Sequence, residues 1–241
     1  NPALVLGYGG FNLDGYISPQ YKFEVKQFLN DGGIYVTPAL RGGSELGPDW
    51  HDAATFRKGN KQKTFDDMIA TLKMLSEKKY SSPSRIGIEG WSNGGYLIGA
   101  MTIQAPELFK LGIPGNGVQD QLRKQVLDPR FSGWDYEWGN PDTDEKAFIA
   151  LSKISPVNQA MKAREYPTVL AIVGENDSRV NSSHTYKLTA ALQRSQKAKN
   201  PILMLAVERS GHWVTKEDLQ DIRAYRTLWK KWSAIYRELG V

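Results

Sequence analysis

In Ile86-Gly87-Ile88-Glu89-Gly90-Trp91-Ser92-Asn93-Gly94-Gly95, an apolar run leads to a serine and then to small residues. Small and apolar residues continue from Tyr96 to Met101. A strand, a sharp turn and a helix with serine at the apex are typical of a nucleophile elbow. Glycines on both sides of the serine give the strand and helix room to approach each other. The pattern predicts that Ser92 presents its hydroxyl above the strand ends.

A serine hydroxyl needs a base within hydrogen-bonding reach before it acts as a nucleophile at neutral pH. The chain has three histidines, His51, His184 and His212. Elbow serines of α/β-hydrolase folds are followed along the chain by an acid and then by the histidine. His212, on a loop after the apolar run Ile202 to Val207, fits that order best. We interpret His51, in a loop, and His184, at the start of a helix, as surface residues.

The acid that orients the histidine should follow a strand between the serine and the histidine. The apolar run Thr168 to Val173 is such a strand, and it ends in Gly174-Glu175-Asn176-Asp177. Asp177 is the best candidate, and Glu175 competes with it at the same strand end. The alternative for Asp177 is a residue that only forms a turn or caps a helix.

Composition indicates one enzyme domain over residues 1–241. The chain has 40% hydrophobic residues and no cysteine, so neither disulfides nor thiolate chemistry are expected. No apolar run approaches a membrane span and no signal sequence opens the chain, which favours a cytoplasmic protein without a membrane partner. The net charge of +5 comes from scattered lysines and arginines, so nucleic acid is not an expected partner. The histidines are far apart and lack metal-ligand spacing, so neither metal nor cofactor is expected.

Strands alternate with helices along the chain, which predicts a mainly parallel sheet covered by helices on both faces. The strands are predicted at Ala3 to Gly7, Gly33 to Thr37, Arg85 to Glu89, Lys110 to Pro114, Thr168 to Val173 and Ile202 to Val207. The helices are predicted at Tyr21 to Asn30, Thr64 to Lys79, Gly95 to Gln104, Asp144 to Ser152, Asn181 to Arg194 and Lys216 to Leu239. In the last helix an apolar stripe is predicted to be core: Leu219, Ile222, Tyr225, Trp229, Trp232, Tyr236 and Leu239.

Several motifs resemble one known family, in the order in which that family has them. They are Tyr8 to Phe11, Arg41 to Gly43, Trp50-His51, Phe65 to Asp67, Ser92 to Gly95, Gly117-Val118 with Asp120, Asp177 to Val180, and Gly211-His212. Together they resemble the catalytic domain of prolyl oligopeptidase and its S9 serine peptidase relatives. The resemblance covers nearly the whole chain and implies an α/β-hydrolase fold. It also implies hydrolysis of short peptides, preferentially on the carboxyl side of proline.

The resemblance implies a role for individual residues of the reaction centre. Ser92, Asp177 and His212 match the catalytic triad, which works through an acyl-enzyme. The Tyr8 hydroxyl and the Asn93 backbone N–H match the oxyanion donors, although the position of Tyr8 alone indicates a packed residue after a strand. Arg179 matches the residue that binds a substrate carbonyl, and its alternative is a surface ion pair with Glu175.

The resemblance also implies a pocket for the residue before the scissile bond. Its walls match Phe11, Val118, Trp134, Trp138 and Val180, with the Trp134 ring in the position that stacks on proline. For each of these side chains, the alternative to a pocket role is simple packing in the hydrophobic core.

Three tryptophans depart from the family pattern and are expected to narrow the site: Trp91, where glycine is usual, Trp138, which replaces a tyrosine, and Trp213, where a small residue is usual. The segment from Trp134 to Pro141 is also similar to relatives that cleave after Lys or Arg, in which case Asp135 or Glu137 would meet the basic side chain. A carboxylesterase or acyl-peptide hydrolase and a non-catalytic binding module remain further alternatives.

The family's first strands and its β-propeller precede the segment that matches Asn1. The resemblance therefore implies an excised or truncated catalytic domain of a larger enzyme, with the propeller portion as a possible partner and short peptides as substrates.

Overall fold

The computed structural model describes residues 1–14, 22–161, 164–213 and 222–241. The start of the first predicted helix at Tyr21 and the predicted helical residues 216–221, including Leu219, lie outside these ranges. Within them, no helix is both long and apolar enough to cross a lipid bilayer.

A six-stranded sheet forms the centre of the molecule, and every pairing in it is parallel. The strand order is β2-β1-β3-β4-β5-β6. The strands are Ala3–Leu6 (β1), Ile34–Val36 (β2), Ile86–Trp91 (β3), Leu111–Gly115 (β4), Thr168–Gly174 (β5) and Ile202–Val207 (β6). Each lies within two residues of its predicted bounds, and the predicted parallel sheet is confirmed.

Ten α-helices in the described part of the chain connect and cover these strands. They are Phe23–Asn30 (α1), Pro48–Asp52 (α2), Gln62–Glu77 (α3), Asn93–Gln104 (α4), Lys124–Leu127 (α5), Asp135–Trp138 (α6), Glu145–Ile154 (α7), Pro156–Gln159 (α8), Ser183–Ser195 (α9) and Ile222–Leu239 (α10). The sequence did not predict α2, α5, α6 and α8, because four or five residues are too few to show helical periodicity.

Side chains on the two faces of the sheet enter two different hydrophobic clusters. Val5 of β1 packs with α3 and α4, whereas its neighbour Leu4 packs with α1 and α10. This alternation follows from the two-residue period of a β-strand. Both faces of the sheet are therefore buried, as in other parallel sheets.

The predicted apolar stripe of α10 is wrong in its first half. Ile222, Tyr225 and Trp229 are exposed, with 73% of Trp229 accessible, whereas Trp232 and Leu239 are buried as predicted. The physical reason lies in Lys231, which turns inward and places its Nζ 2.7 Å from Oε1 of Glu89 on β3. Trp229 lies two residues from Lys231, which places it on the opposite side of the helix, facing solvent.

The carboxyl ends of the strands meet at one edge of the sheet, where parallel α/β folds place their binding sites. Tyr8 follows β1, Ser92 follows β3, Asn116 follows β4, Asp177 follows β5 and His212 follows β6. Residues that are far apart in the sequence are thus collected at one edge.

Candidate active site

Ser92 occupies a strained turn between β3 and α4. Its φ of 59° and ψ of −117° are rarely adopted by a residue with a side chain. The turn is held by its N–H, which donates to the Gly115 carbonyl over 2.9 Å, and by its carbonyl, which accepts from the Tyr96 N–H over 3.0 Å. This geometry is that of a nucleophile elbow, and strain of this kind is concentrated at functional sites.

Glycine is required where the elbow meets the strand beside it. A Cβ on Gly90 would lie 2.4 Å from the Gly94 carbonyl oxygen, and a Cβ on Gly94 would lie 2.4 Å from the Gly7 carbonyl oxygen. Both contacts are with backbone atoms, which have little freedom to yield. The glycines flanking Ser92 therefore allow α4 to begin directly against the end of β1.

Asp177 and His212 form a buried pair. Oδ2 of Asp177 lies 2.7 Å from Nδ1 of His212, and Oδ1 accepts the backbone N–H groups of Arg179 and Val180 over 2.8 and 2.9 Å. The Asp177 side chain is fully buried, whereas Glu175, its competitor from the sequence, is exposed. The structure thus brings Asp177, and not Glu175, to the histidine.

The other ring nitrogen of His212, Nε2, is buried and has no hydrogen-bond partner among the described residues. With Nδ1–H donating to Asp177, Nε2 carries the lone pair that accepts a proton. The Ser92 hydroxyl follows β3, which β4 and β5 separate from β6, and it is not hydrogen-bonded to Nε2 in this structure. Such contacts are often long in free enzymes and shorten when substrate binds.

Asn116 connects the three strand ends that carry these residues, and sequence reasoning missed it. Its side-chain N–H donates to the His212 carbonyl over 2.5 Å, and its Oδ1 accepts the Gly174 N–H over 2.9 Å. The preceding Gly115 accepts the N–H of Ser92. An asparagine directly after an apolar strand, at the edge where the other candidates lie, was the only sequence signal for it.

Tyr8 and Asn93 lie together beside the elbow. Tyr8 is buried, and its carbonyl accepts a hydrogen bond from Nδ2 of Asn93 over 2.7 Å. Asn93 is the first residue of α4, so its backbone N–H has no partner within the helix and lies at the positive end of the helix dipole.

A cluster of aromatic side chains lies next to Asn93, whose Oδ1 accepts from the Trp138 indole N–H. Phe11 packs edge-to-face on Trp134 and Trp138, with ring centroids 5.6 and 5.1 Å away, and the two tryptophans are 5.8 Å apart. Val118 and Val180 are buried in the same cluster. Phe131, which the sequence did not indicate, stacks at a tilt on Trp134 with centroids 4.9 Å apart. The structure therefore brings all five predicted pocket residues into one cluster.

The sequence profile described as the Prolyl oligopeptidase family matches residues 19–234. This chain belongs to the prolyl oligopeptidase family.

Individual relatives give the extent of the similarity. The chain is 36% identical over 212 residues to a prolyl endopeptidase of Elizabethkingia miricola, covering 88% of this chain and 29% of that protein. It is 34% identical over 244 residues to prolyl oligopeptidase A of Galerina marginata, and the match covers 100% of this chain and 32% of that protein. A post-proline cleaving enzyme from Rickettsia typhi has a similar structure, with a TM-score of 0.90 at 28% identity over 100% of this chain and 33% of that one. The chain thus spans about a third of the length of these relatives.

Arg179 lies in this prolyl oligopeptidase-family chain two residues after the buried Asp177. It is exposed, and its guanidinium makes no ion pair with any described residue, so the alternative pairing with Glu175 is not formed. Its backbone N–H is held by Asp177, which fixes the loop from which the side chain extends. The Arg179 guanidinium is free to bind another group.

Of the three tryptophans that depart from the family pattern, Trp91 does not narrow the site. Its indole N–H donates to Oε1 of Glu89 over 2.9 Å, and its ring packs in the cluster on the α10 side of the sheet. Trp213 lies edge-on to His212 with centroids 4.9 Å apart, and Trp138 packs edge-to-face on Phe11 in the aromatic cluster.

Glu137 and Lys61 form a buried ion pair that the partly buried His51 contacts. Glu137 accepts from Nζ of Lys61 over 2.6 Å and lies 3.0 Å from Nε2 of His51. Burial raises the pKa of Glu137, but the attraction of Lys61 and the contact with His51 outweigh it and lower the pKa below its ordinary value. His51 is therefore not the surface residue that we expected, because a buried carboxylate requires partners.

His184 is also buried, contrary to the surface position expected from the sequence. Its Nδ1 accepts the backbone N–H of Asp120 over 3.0 Å, and burial lowers its pKa to about 4. The ring is therefore neutral and packs behind Phe131. A histidine in the first turn of an amphipathic helix gave no indication of which side it faces.

Proposed function

We propose that residues 1–241 form the catalytic domain of a serine peptidase that hydrolyses short peptides on the carboxyl side of proline. The observation that carries the proposal is the buried Asp177–His212 pair, which leaves Nε2 of His212 free at the strand edge where the strained Ser92 lies. An oriented histidine beside an elbow serine is the arrangement that activates a serine hydroxyl.

In this mechanism, Oγ of Ser92 attacks the substrate carbonyl and transfers its proton to Nε2 of His212. Asp177 holds the ring through Nδ1 and stabilises the imidazolium that forms. His212 then gives the proton to the leaving amine, and the acyl group stays on Ser92. Water, deprotonated by His212, releases the acid product and restores the serine.

Negative charge on the substrate oxygen exists only during the reaction, and donors already in place lower the barrier most. The Asn93 backbone N–H at the start of α4 and the Tyr8 hydroxyl are the proposed donors. The fixed position of α4 against the end of β1 supports this pairing.

Proline suits the aromatic pocket because its ring buries apolar area and brings no N–H into the site. Trp134 is the proposed stacking partner, with Phe11, Val118, Trp138 and Val180 around it. Arg179 is proposed to bind a carbonyl of the substrate chain and so to fix its register, a role suited to a guanidinium without an ion-pair partner.

A pocket for Lys or Arg is the weaker alternative. Glu137 is already ion-paired with Lys61 and in contact with His51, and Asp135 accepts from the side-chain amides of Gln125 and Asn140. Both carboxylates therefore already have polar partners within the chain. Because the relatives are about three times as long, we also propose that a β-propeller portion accompanies this domain and limits its substrates to short peptides.

The deciding experiment compares matched fluorogenic peptides that end in Gly-Pro, Gly-Arg and Gly-Ala with a short acyl ester. Ser92→Ala is the blank for each substrate, and a fluorophosphonate reports the activated serine directly. We expect selective cleavage of Gly-Pro, lost together with labelling in Ser92→Ala. Selective Gly-Arg cleavage or turnover of the ester alone would contradict the proline assignment, and absence of labelling would contradict the peptidase assignment.

The pocket is tested by Trp134→Ala, with the exposed Trp229→Ala as the matched control. Loss of the stacking surface should lower kcat/KM for Gly-Pro by about tenfold or more, whereas the ester, which does not fill the pocket, should lose little. Equal losses of kcat/KM on the peptide and the ester would show that Trp134 does not stack on proline.

A further inference from the structure

We propose that helix α6 holds the oxyanion loop, defined here as Tyr8–Gly10, through two adjacent residues, Trp138 and Glu137. Each acts through one intermediate side chain on one carbonyl of the loop. Both are positioning residues, and the proposal rests on the function proposed above.

The first connection runs from Trp138 through Asn93 to Tyr8. The indole N–H of Trp138 donates to Oδ1 of Asn93 over 3.2 Å, and Nδ2 of Asn93 donates to the Tyr8 carbonyl over 2.7 Å. An indole N–H only donates and a carbonyl oxygen only accepts, so the two ends allow one orientation of the Asn93 amide. All three residues are buried, which strengthens the hydrogen bonds between them.

The second connection runs from Glu137 through Lys61 to Gly9. Nζ of Lys61 donates to Oε1 of Glu137 over 2.6 Å and to the Gly9 carbonyl over 2.9 Å. Lys61 and Glu137 are each about 4% exposed at the side chain. A buried ammonium requires acceptors in defined places, so the Gly9 carbonyl is fixed by the same charge that neutralises Glu137.

Gly10 lies between the two connections. A Cβ at this residue would lie 2.4 Å from Nδ2 of Asn93 and 3.0 Å from Oε1 of Glu137. The loop is therefore in close contact with Asn93 and Glu137, and only a glycine leaves enough space between these two side chains.

Trp138 also forms part of the pocket wall, in edge-to-face contact with Phe11 and Trp134. The side chain that packs beside the substrate ring is thus two hydrogen bonds away from the residue proposed to bind the oxyanion. A substrate that holds the Trp138 indole in position therefore also holds the Tyr8 carbonyl in position, through Asn93. Filling of the pocket is thereby coupled to the chemical step, and specificity is expressed in kcat more than in KM.

The test uses Trp138→Phe, which keeps an aromatic ring and removes the indole N–H, with the exposed Trp229→Phe as its matched control. The second connection is cut by Lys61→Met combined with Glu137→Gln, so that no unpaired buried charge remains. The exposed Lys73→Met on α3 is the control for the lysine change. Three quantities are measured in each variant: hydrogen exchange of the peptide covering residues 7–12, kcat and KM on the Gly-Pro substrate, and inhibition by a peptide aldehyde of proline.

We expect faster exchange of residues 7–12 in both test variants and no change in either control. A peptide aldehyde forms an oxyanion-like adduct on the serine, so its affinity should fall in parallel with kcat, by about tenfold, while KM changes little. Unchanged exchange, or a rise in KM with kcat preserved, would overturn the proposal. Failure of the wild-type chain to cleave or to be labelled would contradict the proposed function, and hydrogen exchange would still decide whether α6 holds the loop.

Discussion

The Asn116 side chain donates to the carbonyl oxygen of His212 over 2.5 Å and accepts the N–H of Gly174, so one buried amide joins the loop after β6 to the end of β5. Gly174 lies three residues before Asp177 and also accepts its N–H. Through Gly115, the same turn holds the backbone of Ser92. Asn116 is therefore placed to set the relative positions of the serine, the acid and the histidine.

Replacing Asn116 by Asp should slow the reaction. Because Asn116 is fully buried, the new carboxylate should also lower the free energy of unfolding, so labelling is compared at a temperature at which both variants remain folded. The carboxylate keeps the size of the amide and the acceptor for Gly174, but it faces the His212 carbonyl with an oxygen in place of a donor. The backbone φ of 40° at this residue is one that Asn and Asp tolerate best. We expect the second-order rate of fluorophosphonate labelling to fall by about tenfold or more, equivalent to ~1.4 kcal/mol. The exposed Asn30→Asp is the control, and equal rates in the two variants would refute the role.

Ser92→Gly should be more stable than Ser92→Ala, although both lack the nucleophile. The positive φ of 59° strains any residue with a Cβ, whereas glycine adopts it freely. The strain relieved exceeds the additional chain entropy of glycine, so we expect a difference of about 1 kcal/mol in the free energy of unfolding by urea. If Ser92→Ala were the more stable of the two, the turn would not store strain.

Stability should fall on mild acidification because of His184. Its pKa is about 4 in the fold and about 6.5 when unfolded, so the unfolded chain binds more protons between these values. Its contribution is complete above pH 6.5 and is lost as the pH falls towards 4. Between about pH 7.5 and 5, we expect a loss of about 2 kcal/mol in the free energy of unfolding.

The His184 effect is isolated by repeating the urea titrations with His184→Asn, which can still accept the Asp120 N–H. The variant should lose about 2 kcal/mol less over the same interval. A wild-type curve parallel to that of the variant would show that His184 is not held neutral by the fold.

Lys231→Met should be strongly destabilising, because it leaves Glu89 as a buried carboxylate without its cation. We expect a loss of about 3–5 kcal/mol, most of it recovered when Glu89→Gln is added. The amide oxygen of the new glutamine would still accept from the Trp91 indole N–H, which lies 2.9 Å from Oε1 of Glu89. Thermal unfolding of both variants, with the exposed Lys230→Met as control, measures the difference. If Glu89→Gln did not restore the lost stability, the destabilisation would come from altered packing of α10 and not from the broken ion pair.

Sequence patterns alone predicted the parallel sheet, the elbow and the order of the candidate triad residues along the chain. Apolar runs and glycine positions are local properties, since backbone geometry and side-chain burial impose them within a few residues. The motif at Ser92 and the strand ends before Asp177 and His212 were visible for that reason. The same local information ranked Asp177 above Glu175, but it did not show which of the two, lying two residues apart on one loop, contacts the histidine.

The buried polar side chains and their partners could be identified only in the folded chain. Asn116, Lys61 with Glu137, and Lys231 with Glu89 are contacts between residues at least 58 positions apart. One of these contacts, Lys231 with Glu89, lies on the side of α10 opposite to Trp229, which is exposed. A buried charge is stable only beside its partner. The residues that flank a charged side chain in the sequence do not indicate which distant residue that partner is.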